Sequence, residues 1–168
     1  MGNNNRKRIH QLALLSILTS LALILSYVEA VLPPIFSAIP AVKLGFPNIL
    51  IIFILYRMGT KEAAAVSFLR IALSALLFGN PITFIYSFAG AFLSLTVMAI
   101  LKKTNLFSTV GVSIAGGILH NLGQILVAML LLGTSEIGYY MVVLAFTGTL
   151  AGFFIGLCGA FLIRQVDI

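Results

Sequence analysis

Two side chains in this sequence stand where their charge and polarity are hardest to keep: Arg70, in the apolar run from 62 to 78, and His120, in another from 108 to 132. A guanidinium stays charged and offers a planar fork of N–H donors that suits carboxylates and phosphates, whereas an imidazole can donate, accept or carry a proton. Ser67 and Ser74 stand three residues before and four after Arg70, which puts all three on one helix face. His120 belongs to GGILHNLGQ, residues 116–124, where Gly116, His120 and Gln124 stack at four-residue spacing with Asn121 beside them. Its glycines let a neighbouring helix or a bound molecule come close, so this polar face reads as a binding surface ahead of interhelical glue. An ionisable group in hydrocarbon costs roughly 2.5 to 3.5 kcal/mol on insertion scales and therefore needs a partner. Glu29, the one acid within an apolar run, leaves two readings of Arg70: an internal ion pair that orders the bundle, or a charge held for a ligand.

Lys43, Pro47 and Asn48 mark the start of a short apolar helix, where free backbone N–H groups and the helix dipole attract anions. Discontinuous helices aim such ends at anionic substrate groups in several transporters. Arg70, Lys43 and this helix end together favour an anionic or strongly polarised ligand, with the segment from Lys43 to Asn48 as an outer gate; alone, Lys43 reads equally as a solvated loop residue. Small residues repeat at four-residue intervals at Gly148, Gly152, Gly156 and Ala160, and Ser16 is followed by Ser20. Such ridges pack helices together inside a bundle or dock a partner.

Several chemistries have no residues here. There is no Walker phosphate loop, no Cys and His set spaced for a metal, and no GxSxG elbow. The only aspartate, Asp167, is penultimate. Elongating prenyl synthases hold diphosphate through magnesium on aspartate-rich motifs, and hard cations need such oxygen ligands. The chain is therefore expected to catalyse nothing by itself, to bind no cofactor or metal, and to leave any ATP hydrolysis to partner subunits.

The elements that must position these groups follow from composition. Hydrophobic residues make up 61% and charged residues 8% of 168, far from the quarter charged that a water-exposed surface needs. The net charge of +6 comes from Lys and Arg scattered between apolar runs, with no continuous basic face for nucleic acid. The single cysteine, Cys158, forms no internal disulfide. Turn residues punctuate spans near 10–32, 46–58, 62–78, 81–101, 108–132 and 139–163. With the N-terminus inside, Arg6, Lys7, Arg8, Arg57, Lys61, Lys102, Lys103 and Arg164 all fall on the cytoplasmic side, as the positive-inside rule demands. The expectation is an all-α integral membrane bundle of six transmembrane helices with both termini cytoplasmic. A tail at 1–9 and another at 165–168 flank a single domain over 10–164. The second span, about 18 Å long at 1.5 Å per residue, cannot cross alone. Residues 33–46, with Pro33, Pro34 and Pro40, supply an irregular segment before it, either re-entrant and lining a cavity or resting on the surface as a loop.

KLGFPNILIIFILYRMG, SFLRIALSALLFGNP, FIYSFAGAFLSLTVM and GGILHNLGQ, in this order over nearly the whole chain, resemble the bacterial family called Gx transporters, also labelled heptaprenyl diphosphate synthase component I. That family is similar to the substrate-binding S components of energy-coupling factor transporters, six-helix proteins of the cytoplasmic membrane. The resemblance implies a binder of a small anionic, vitamin-like or isoprenoid- or quinone-related molecule. It also implies docking on a coupling membrane protein with two ATPases. S components typically dock through an alanine pair in the first helix, and the matching positions here carry Ser16 and Ser20. The synthase label implies the alternative, a non-catalytic membrane subunit in isoprenoid or menaquinone biosynthesis.

Overall fold

The computed structural model describes residues 3–32 and 45–166. They form α1 (Asn3–Val31), α2 (Pro47–Arg57), α3 (Thr60–Leu77), α4 (Pro81–Thr104), α5 (Thr109–Leu132), a 3-10 turn (Glu136–Tyr140) and α6 (Met141–Gln165). No strand occurs among the described residues, so the chain is all-helical as expected. Helix α1 starts at Asn3, well before residue 10, because nothing in Asn3 to Ile9 breaks a helix. Lys43 and the rest of 33–44, the heart of the irregular segment, lie outside the described residues, as does Asp167.

Four units are long and apolar enough to cross a membrane: α1, α4, α5, and α6 together with the turn before it. Helix α2 has 11 residues, about 16 Å, and α3 carries Lys61, Glu62 and Arg70. The surface suits lipid. Leu76 and Leu130 are each 82% exposed, among many other outward-facing large apolar side chains, and apolar area on this scale is not left to water.

Helix α2 is the centre of the bundle. Leu50, Ile51, Ile52, Phe53, Ile54 and Leu55 are all buried, and α1, α3 and α6 surround it; a helix apolar on every side has no face to give to solvent. Its last carbonyls find donors despite the burial. The N–H groups of Met58 and Gly59 donate to Ile54 O at 2.8 and 3.0 Å. The Lys102 ammonium donates to Leu55 O and sits 5.2 Å from the Tyr56 ring centroid. Gly59, at φ +132°, then turns the chain directly into α3, a backbone state that a side chain would strain. Farther on, Asn80 and Thr83 form a reciprocal capping box, with both bonds at 2.9 Å, and Pro81 occupies the first turn of α4.

The glycine ridge of α6 has an internal partner. A Cβ on Gly152 would lie 2.7 Å from Ile114 Cα and Ser113 O, one on Gly156 2.8 Å from Val110 Cα, and one on Gly148 2.8 Å from Asn121 Nδ2. All three glycines are buried against α5; of the two uses that the spacing allows, packing inside the bundle is the one these contacts serve. Gly123 does the same on the other side of α5, where its Cβ would meet Ala89 O at 2.7 Å. Ser16 and Ser20 remain on an exposed face of α1, with their hydroxyls donating to Leu12 O and Ser16 O, each at 2.9 Å.

Candidate functional site

The shortness of α2 leaves a space at its N-terminal end. Arg70 lies ten residues along α3 from Thr60, about 15 Å, which is the length of α2. The guanidinium therefore arrives level with Pro47 and Asn48. His120, eleven residues into α5, reaches a similar depth. The result is a cavity of about 170 Å³ in the half of the bundle remote from the α2–α3 turn, lined from all six helices. It brings together Arg70, His120, Asn121, Gln124, Asn48 and Glu29, and Gly148 lies on its wall.

Helix α3 contributes the charge. Arg70 Nη1 donates to Ser26 Oγ of α1 at 3.4 Å, and the Ser26 hydroxyl donates in turn to Ala22 O at 2.9 Å. Arg70 Nε and Ser74 Oγ, one turn apart, are both buried without a hydrogen-bond partner among the described residues. A buried donor left unmade costs about 1 to 3 kcal/mol, so the arrangement favours an acceptor at this place. Ser67 shares the face and is buried, but it lies outside the cavity wall. The Glu29 carboxylate accepts from Gly45 N–H, and its charge also acts on Arg70. Gly45 has φ +77°, and a Cβ there would lie 3.1 Å from Asn48 Nδ2; glycine is what lets the chain turn into α2 so close to the cavity.

Helix α5 contributes neutral polarity. Gln124 Nε2 lies 3.3 Å from His120 Nε2, one turn away on the same helix face. Asn121 is engaged differently: its Nδ2 donates to Leu144 O of α6 at 2.6 Å, so part of the polar face is interhelical glue after all. We expect Asn121→Leu to destabilise the bundle by about 1 kcal/mol, the usual scale of an interhelical hydrogen bond, measured by reversible unfolding in mixed micelles. Gly116 faces away from the cavity, toward Ser94 and Met98 of α4.

At the start of α2 the expected free N–H groups are already used. Asn48 N–H donates to Gly45 O at 2.8 Å and Ile49 N–H to Phe46 O at 3.1 Å, and proline has no N–H. Attraction for an anion therefore comes from Arg70 and not from an open helix end. Sequence reasoning missed Thr83 and Ser87 of α4 and Thr147 of α6 as wall residues. The four-residue spacing of Thr83 and Ser87 in the first turns of an otherwise apolar helix was the available signal. Among the described residues no group of three His, Cys, Asp or Glu side chains comes together.

A family model described as heptaprenyl diphosphate synthase component I matches residues 18–162, which takes in every described wall residue of the cavity. No curated protein matches the chain, and no solved structure matches it.

Proposed function

The chain belongs to the heptaprenyl diphosphate synthase component I family, and from that premise we propose that it is a non-catalytic membrane subunit that holds a small anionic molecule at Arg70. Its role is that of the substrate-binding subunit of an energy-coupling factor type transporter. The observation that carries the reading is the polar cavity itself: a guanidinium whose buried Nε has no partner among the described residues, a serine hydroxyl in the same condition, and a histidine–glutamine pair on one wall. The cavity is smaller than the roughly 300 to 1,000 Å³ of a drug-sized site. It therefore suits a carboxylate- or phosphate-bearing head of a vitamin-like or isoprenoid- or quinone-related molecule whose apolar remainder lies between helices or in lipid.

In this reading the protein is a multi-pass protein of the bacterial cytoplasmic membrane with six spans and both termini inside. Helix α2 contributes to one crossing and α3 makes another, and Asn48 stands on the outer side of the cavity. Ser16 and Ser20, exposed on α1, face a coupling membrane protein whose two ATPases supply the energy.

The family description favours a second reading. A component I implies another component, and the chain would then present a lipid-soluble substrate to a soluble prenyl synthase carrying the aspartates that this sequence lacks. Copurification from mild detergent separates the two. Stoichiometric ATPase subunits are the expected companions; an aspartate-rich prenyl synthase in their place would replace the transport role with the synthase one.

A further inference from the structure

Aromatic rings of α3 and α4 gather beside the cavity. Phe84 and Phe88 stack with centroids 5.9 Å apart, Phe68 of α3 meets both edge-on at 6.5 and 6.1 Å, and Phe92 continues the stack 6.3 Å beyond Phe88. Helix α4 carries its rings next to a polar wall. Thr83 and Ser87 line the cavity, and each is followed in sequence by a ring. One stripe of α4 therefore turns hydroxyls to the cavity while the next, about 100° round the helix, turns aromatics to α3. Phe68 stands seven residues before Ala75, another wall residue, on the same face of α3. The cluster fills the seam between α3 and α4 at the edge of the cavity, and it is open to the outside: Phe68 is 49% and Phe88 41% exposed.

The other seams that border the cavity are closed differently. Between α4 and α5 a Cβ on Gly90 would lie 2.7 Å from His120 O, and between α5 and α6 one on Gly148 would lie 2.9 Å from Gly117 O. Main chain set this closely against main chain separates only if whole helices move. The α1–α3 seam is tied by the bond from Arg70 to Ser26 and by the edge contact of Tyr27 with Phe78 at 5.5 Å. Rings, in contrast, swing aside on side-chain torsions. Of these seams, α3–α4 is the one that apolar side chains alone can open. Volume gives a second constraint. At about 170 Å³ the cavity holds a head group and little more, against roughly 300 Å³ for the smallest drug-sized sites.

We propose that the ligand is an amphiphile with one anionic head and a linear apolar tail, and that the tail leaves the cavity between α3 and α4, against Phe68, Phe84 and Phe88. This rests on the reading of Arg70 as the head-group site and adds the substrate class and the subsite of its tail. Phe84 and Phe92 are eight residues apart, about 12 Å along α4, and over that length the tail lies with rings on one side and lipid on the other.

The experiment is photolabelling of the full chain in nanodiscs with dodecyl phosphate carrying a diazirine midway along its tail, read by peptide mass spectrometry. Residues 84–92 of α4 are compared with residues 146–161 of α6, where Phe146, Phe154 and Phe161 are also exposed but line no part of the cavity. Probe dissolved in the bilayer labels both stretches, and probe held at the site labels the first. We expect labelling of 84–92 to exceed that of 146–161 by about tenfold, the scale set by burying a few methylene groups. Excess butyl phosphate, which brings the same head without the long tail, should return it to the α6 level. Equal labelling of the two stretches, or an excess that butyl phosphate leaves unchanged, overturns the proposal, because the rings would then be lipid-facing surface and nothing more. Arg70→Gln separates the two layers of the account. Loss of the excess places head and tail in one site, whereas an excess that persists keeps the tail subsite and removes Arg70 as the holder of the head. A melting curve for the variant confirms that the bundle is intact.

Discussion

A Gly152→Val chain is expected to yield no monodisperse bundle in mild detergent, and Gly152→Ala to yield one destabilised by about 1 to 3 kcal/mol, the usual range for an overpacked core. The reason is that the atoms in the way are main chain. A new Cβ would stand 2.7 Å from Ile114 Cα and Ser113 O, and no rotamer change moves either. Helices α5 and α6 would have to separate along the most extensive contact in the molecule, and α5 carries His120 and Gln124. Valine adds two methyl groups at the same point. Ser16→Leu and Ser20→Leu supply the contrast, since those side chains are exposed and bonded only to their own helix; both variants should melt as the wild type does. Size-exclusion profiles and melting curves decide the matter. A valine variant with unchanged melting would mean that α5 and α6 do not touch at Gly152.

The second large effect is on binding. Arg70→Gln keeps a polar, shorter side chain and removes the charge and the guanidinium fork. Removing one partner from a buried charged hydrogen bond costs about 2 to 5 kcal/mol, roughly a 30-fold to several-thousand-fold loss of affinity. Arg70→Lys keeps the charge without the planar fork and should fall between. The test uses the small-molecule fraction released from denatured wild-type protein. Added back, it should raise the melting temperature of stripped wild type, raise that of Arg70→Lys less, and leave Arg70→Gln where it was. An equal rise in all three would remove Arg70 from the site.

The helices and their breaks were legible because membrane chains punctuate themselves. Gly59, Asn80 with Pro81, and Gly133 each sit where the backbone needs a special conformation or a cap, and the apolar runs between them leave little choice. The convergence of Arg70, His120 and Gln124 was legible in the same way, through polar side chains in spans that otherwise exclude them. Pairings between helices were not. A small-residue ridge states that something approaches closely without naming it, so the sequence left Gly148, Gly152 and Gly156 between packing inside the bundle and docking a partner, and in the structure they face α5. Asn121 could not be separated from its neighbours His120 and Gln124, because its role depends on Leu144 O, 23 residues away. The open helix end expected at Asn48 failed for a local reason: Gly45 at positive φ lets the chain fold back, so that the carbonyls of Gly45 and Phe46 take the first N–H groups.

If the charge of Arg70 is kept in the bundle to hold a molecule, removing the charge should release that molecule. Mass spectrometry of the small molecules retained through purification, wild type against Arg70→Gln at matched protein amounts, tests it most directly. One anionic compound should be retained near one-to-one by the wild type and depleted by more than tenfold in the variant. The same retained compounds in both samples, or none in the wild type beyond bilayer lipid, would contradict it.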